Sequence, residues 1–150
     1  MNNLFHKSDA SAIVIRIEKL LPTAKRQWGK MTVNQMLAHC SASLETAMGL
    51  HRPKRLGFVG RTFGKLLKPK FFSDKPFPKN GTTDKSYIIT GTPDFETGKA
   101  QLLQQIQLFS EVGPAQCTTH PHAFFGILTP EEWAVMQWKH FDHHLRQFGA

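Results

Sequence analysis

The chain has only two cysteines, Cys40 and Cys117, among its 150 residues. That is too few for a disulfide framework and points to a reducing, cytoplasmic setting. No run approaches the ~20 consecutive apolar residues that a membrane span requires. The opening Met1-Asn2-Asn3-Leu4-Phe5-His6-Lys7 has no apolar signal core. Repeats and low-complexity tracts are also lacking. So are a Gly-rich phosphate loop and a Ser nucleophile motif, which removes the common phosphoryl- and acyl-transfer signatures. Acidic residues are scarce in one stretch. Residues 51–85 hold ten Lys or Arg and two Asp, and the rest of the chain is neutral, so the net charge of +8 is a local feature.

What remains is ordinary for a soluble globular chain: 40% apolar and 20% charged residues. The length predicts one domain spanning 1–150, large enough for a real core. The apolar periodicity predicts four long helices. The first starts near Ser8 or Asp9, carries Ile13, Ile17, Leu20 and Leu21, and ends at Pro22. The second is capped by Thr32 and runs to about Leu50. Val33, Met36, Leu37, Cys40, Leu44, Ala47 and Met48 form its stripe, with His39 at the edge. The third covers about Asp94 to Val112 and stops at Gly113-Pro114. The fourth opens on Thr129-Pro130-Glu131-Glu132, a capping box with Pro at its first position, and ends near Phe148.

Between the second and third helices lies a long segment rich in Gly and Pro. A short helix around Arg61–Leu67 and an extended piece at Ser86–Thr90 are expected in it. Its phenylalanines (58, 63, 71, 72 and 77) need burial, so it reads as a crossover rather than a linker. Four amphipathic helices bury their stripes best as an all-α bundle.

The chemistry concentrates in His140-Phe141-Asp142-His143-His144-Leu145-Arg146-Gln147. On a helix His140 and His144 lie one turn apart on one face, about 5–6 Å between Cβ atoms. Zn–N bonds near 2 Å would let both hold one ion. Eight histidines in this length give roughly 0.4 such pairs by chance, so context must support the spacing. On a helical wheel Trp133, Met136, Gln137, His140, Phe141, His144, Gln147 and Phe148 fall within about 140° of arc. Lys139, Asp142 and Arg146 fall on the opposite side, and His143 at the border. The pair therefore sits mid-stripe on the buried face. Buried imidazoles need partners, so they are either hydrogen-bonded core residues or metal ligands. His39 is the candidate third ligand. Gln147 could orient water or a ligand, and Gln35 could support His39 or simply be solvated. Cys40 points into the apolar stripe as a core residue.

These residues resemble those of the DinB/YfiT-like superfamily of metalloenzymes. The pattern of His140, two spacers, the His143-His144 pair, two spacers and Gln147 is similar to that family's last-helix motif. Met36-Leu37-Ala38-His39 is similar to its first-ligand helix. A bacterial subfamily of unknown function is closer still. It is matched by Trp28-Gly29-Lys30-Met31, Gln35 to His39, Ser73-Asp74-Lys75-Pro76-Phe77-Pro78-Lys79-Asn80, Phe124-Phe125-Gly126-Ile127-Leu128-Thr129 and Glu132-Trp133. That subfamily places a His-Pro before its Phe-Gly pair, and both His120-Pro121 and His122-Ala123 compete for the place. The resemblance implies a DinB-like four-helix bundle with a long crossover between helices two and three. It also implies metal ligands His39, His140 and His144, with His143 not ligating. Zinc or nickel fits imidazole ligation best.

The implied activity is transfer, with a low-molecular-weight thiol as one option, or hydrolysis of a small molecule. Two other readings stand beside it. The basic 51–85 segment could bind nucleic acid or another anion, although such a run is more often a solvated face. The histidines could also hydrogen-bond in a metal-free structural bundle. The sequence leaves open monomer or homodimer.

Overall fold

Five helices build an all-α bundle around a continuous apolar core. The structure is a computed structural model. It describes residues 1–54 and 57–150, with all their side chains apart from those of 58–61 and 65. Arg55 of the basic run lies outside the described residues, as do the side chains of Phe58, Arg61 and Lys65.

The helices are α1 (Lys7–Glu18), α2 (Val33–Ala47), α3 (Phe58–Phe71), α4 (Phe95–Val112) and α5 (Pro130–Gln147). α1 and α2 each pack against both α4 and α5. The bundle thus runs in the order α1, α4, α2, α5, and α2 lies directly beside α5. Although a long crossover joins them, α2 and α4 are close neighbours. Trp133, Phe109 and Phe141 are the largest fully buried side chains. Truncating one of them to Ala would cost about 3–5 kcal/mol.

Capping residues set most boundaries. Thr129 accepts from Glu132 N (3.1 Å), and Glu132 returns the bond by accepting from Thr129 N (2.9 Å). Thr32 and Gln35 repeat the same box on α2 at 3.2 and 3.0 Å. Asp94 accepts from Thr97 N at 2.8 Å to open α4.

α1 begins earlier than expected, at Lys7, with His6 at the cap. The Asp9 carboxylate accepts from Asn3 N, while Asn3 Oδ1 accepts from Phe5 N and His6 N. An N-terminal turn therefore nucleates the helix, and neither Ser8 nor Asp9 caps it. α1 also ends three residues before Pro22 is reached, with Lys19 as its C-cap.

The crossover differs from expectation twice. α3 is longer than Arg61–Leu67 and continues through Pro69 to Phe71, whose carbonyl accepts from Lys139 of α5. Residues 85–87 form a 3-10 turn opened by Asp84, where an extended piece was expected. In α3, a Cβ on Gly64 would stand 1.8 Å from the Phe124 carbonyl oxygen, so only glycine lets this helix approach the loop before α5.

Lys139 and Asp142 are buried, not on a solvated face. Segments distant in sequence cover them. Lys139 Nζ donates to the Phe71 and Ser73 carbonyls. Asp142 pairs with Arg16 of α1 at 2.8 Å and with Arg146 at 3.0 Å.

Candidate metal centre

The contact between α2 and α5 brings His39 opposite His140 and His144. His39 Nε2 lies 2.9 Å from His140 Nε2, which lies 3.1 Å from His144 Nε2. His39 and His144 are buried and His140 is half-buried. His39, placed at the stripe's edge by periodicity, is only 4% exposed because the crossover turn at Tyr87 closes over it.

Hydrogen bonds on the far side of two rings fix their tautomers. His39 Nδ1 meets the Tyr87 carbonyl oxygen at 3.0 Å, and His144 Nδ1 meets Gln147 Oε1 at 2.8 Å. A carbonyl only accepts, so both Nδ1 atoms carry the proton and both Nε2 atoms present bare lone pairs. Gln147 cannot flip without losing a bond, because its Nε2 donates to the Trp28 carbonyl at 2.8 Å.

His140 cannot satisfy both neighbours. Protonated on Nε2, it donates well to one of them and leaves Nδ1 as a bare acceptor. Protonated on Nδ1, it leaves three lone pairs facing one another. Its Nδ1 is buried with no hydrogen-bond partner among the described residues in either case. A cation between the three Nε2 atoms removes the conflict. A tetrahedral ion with Zn–N bonds of about 2.0–2.1 Å separates its nitrogens by about 3.3 Å. The two spacings to His140, 2.9 and 3.1 Å, are close to that, and the three ligand atoms all lie within 4.8 Å of one another. The three histidines thus form a group that could hold a metal ion.

Their electrostatics suit ligation. Burial pushes the His144 imidazole down to about 3, and the charge of His39 adds to the effect. Burial also holds His140 well below the ordinary histidine range, with His144, His39 and His143 contributing. His39 is lowered by burial, against the opposing pull of the Tyr87 carbonyl. Neutral imidazole is the form that binds metal.

The crossover is pinned beside the three histidines. Lys139 holds its Phe71 and Ser73 carbonyls and lies 5.0 Å from the centre of the Phe77 ring. The His143 ring lies against the Phe77 ring, with 6.2 Å between their centres. Thus the residues before His140 and His144 both contact the 71–79 arc. Tyr87 is held in turn by its hydroxyl, which donates to Thr46 Oγ1 at 2.9 Å.

Other candidates resolve differently. Gln35 belongs to the α2 capping box and donates to the Gly91 carbonyl, far from an imidazole role. Cys40 is buried and donates its thiol to Met36 Sδ, and burial raises its pKa. His120 is exposed. His122 is structural: its Nδ1 accepts from Phe124 N and Phe125 N, both at 3.1 Å, and its ring stacks on Phe125. In the basic run Lys68 pairs with Glu132 at 2.7 Å, and Lys79 lies over the Trp28 ring.

Sequence reasoning missed Tyr87 and Lys139 as supporting parts, and singled out Trp28 and Gly29 only within a motif, without a role. Tyr87 and Trp28 act through backbone carbonyls, which no residue type announces. Gly29 is required by proximity: its φ is +77°, and a Cβ there would stand 2.3 Å from Gln147 Nε2.

A family model described as a protein of unknown function (DUF1569) matches residues 2–150. The chain belongs to the DUF1569 family. No curated protein and no solved structure matches it. The three-histidine group and the arc pinned over it therefore lie within the DUF1569 domain, whose description assigns no activity. Among the described residues, no helix is long and apolar enough to cross a membrane.

Proposed function

We propose that this DUF1569 chain is a divalent-metal enzyme of the DinB/YfiT-like kind, with His39, His140 and His144 as its ligands. The reaction is transfer, with a low-molecular-weight thiol as the second reactant, or hydrolysis, and the substrate is a small molecule. One observation carries the reading. Tyr87 and Gln147 each take an Nδ1 proton, which turns two Nε2 lone pairs toward the Nε2 of His140. The motif of the last helix, with Gln147 now given a task, supports the superfamily assignment.

Three imidazoles leave coordination positions open, and zinc or nickel suits them. A bound ion would supply Lewis acidity and lower the pKa of a water or thiol at the open position. The chain's own residues do the rest. Gln147 and the Tyr87 carbonyl hold ring orientation and tautomer. Lys139 and His143 keep the 71–79 arc against the same helix, beside the ligands. Gln147 touches His144 and the Trp28 carbonyl, which makes it a positioning residue.

Elemental analysis of tag-free protein reconstituted with zinc or nickel tests the proposal. About one ion per chain is expected, with loss of binding in His140→Ala. Uptake below roughly a tenth of an equivalent with both metals would overturn it.

A metal-free cluster is the competing reading, favoured by Nε2 separations that fall within hydrogen-bond range. It leaves one of the His140 neighbours without a donor, whereas an ion would engage all three Nε2 atoms; the unpartnered His140 Nδ1 is common to both readings.

A further inference from the structure

The indole of Trp28 stands beside the three-histidine group without belonging to it. Its ring meets the His143 ring edge-on at 5.7 Å, and His143 meets the His144 ring at 5.0 Å. Its backbone carbonyl holds Gln147, so the chain at this position is fixed against the ligand helix.

Two features of Trp28 have no use in the metal site. Its Nε1 is buried and has no hydrogen-bond partner among the described residues. An indole nitrogen can only donate, and a buried donor without an acceptor is destabilising. Lys79 Nζ lies 4.5 Å from the centre of the same ring. Lys79 is exposed, and no carboxylate pairs with it among the described residues. Its long side chain can turn from the face of the indole toward the edge.

Trp133 provides a control. Its Nε1 is also unpartnered among the described residues, but Trp133 is 1% exposed in the core with the His122 ring against it and, among the described residues, no ammonium over its ring. The coincidence of an unfilled donor and an available cation occurs at Trp28.

A donor and an ammonium together select a group that accepts hydrogen bonds and carries negative charge. The surrounding segment strengthens the choice, with ten basic residues against two acids over 51–85. We propose that Trp28 Nε1 and Lys79 Nζ form an oxyanion subsite at the rim of the three-histidine centre. It takes the carboxylate or phosphate of the small molecule acted on there. The substrate role rests on the metal-enzyme reading; the anion site does not.

The test is an NMR titration of the full-length protein, metal-free and zinc-loaded, with Trp28 assigned through Trp28→Phe. Sodium phosphate and sodium acetate are added separately at constant ionic strength. A saturable shift of the Trp28 indole N–H is expected, with the tighter anion naming the group. Lys79→Gln, an exposed substitution, should weaken it by about five- to tenfold. A shift that fails to saturate up to ~100 mM, or one indifferent to Lys79→Gln, overturns the subsite. Zinc uptake by the same sample is read independently. Zinc binding with a non-saturating indole rejects the subsite alone. A saturable indole in protein that takes up no zinc rejects the metal centre, and the substrate role with it.

Discussion

Gln147 Oε1 accepts a hydrogen bond from His144 Nδ1 at 2.8 Å, one helical turn along α5, while its amide nitrogen is tied to the Trp28 carbonyl. The side chain is therefore held at both ends, and the proton of His144 cannot move to Nε2 without breaking the contact. Outer partners of this sort orient a ligand and raise its basicity.

Replacing Gln147 with Leu removes the acceptor and leaves the His144 tautomer free. Zinc affinity should fall by about 10–100-fold, read by competition with a chromophoric chelator. Gln147→Glu retains an acceptor toward His144 and should bind more tightly than the Leu variant. Equal affinity in the two variants would mean that Gln147 merely fills space.

Gly29→Ala attacks the same contact from the other side. The new Cβ would meet Gln147 Nε2 at 2.3 Å on a backbone whose φ of +77° disfavours side chains. A loss of about 1–2 kcal/mol is expected in urea unfolding. Zinc affinity should drop as well, because the amide must shift. An unfolding loss with unchanged affinity would show that Gln147 tolerates displacement.

The parts of this architecture that follow local rules were legible from residue types. Thr129-Pro130-Glu131-Glu132 marks a helix start wherever it occurs, and the wheel position of His140 and His144 follows from a 3.6-residue repeat. Thr32 was legible as a cap, but its partner in the box was not: Gln35, one turn before His39, invited a role beside that imidazole or in solvent instead. What periodicity could not give was coverage by distant segments. Lys139 and Asp142 occupy the polar side of the wheel and are buried because the crossover and Arg16 close over them. The support of His39 was hidden for a different reason. It comes from the backbone of Tyr87, which any residue there could supply.

Acid should destabilise the metal-free protein before its carboxylates matter. Burial pushes His122 down to about 4, and its Nδ1 accepts from two backbone N–H groups that protonation would disrupt. Its folded-state pKa lies below its ordinary value of 6.5. The unfolded chain therefore takes up the proton first as pH falls. The stabilisation is complete above about 6.5 and is lost on the way down to about 4. His39, His140 and His144 act in the same direction. Urea midpoints of chelator-treated protein should fall across this window. His122→Leu should be less stable at neutral pH and show a shallower decline. A midpoint flat between these limits would contradict the burial of neutral imidazoles.

Lys139 offers a way to separate the arc from the centre it accompanies. Its ammonium holds the Phe71 and Ser73 carbonyls and faces the Phe77 ring, and none of these contacts involves an imidazole. Lys139→Met keeps the length and apolar stem of the side chain while removing the donor. The 71–79 arc should loosen, so hydrogen exchange at its amides should rise, and trypsin should cut sooner at Lys79, which is exposed already. The bundle itself should remain folded, because its apolar core does not include this contact. Zinc should still bind, since Tyr87 and Gln147 continue to set the two tautomers. If exchange across the arc stays as slow as in the parent chain, aromatic packing of Phe71 and Phe77 holds it, and the buried lysine is incidental. If zinc binding collapses along with the arc, the crossover is part of the ligand scaffold rather than a cover tethered beside it.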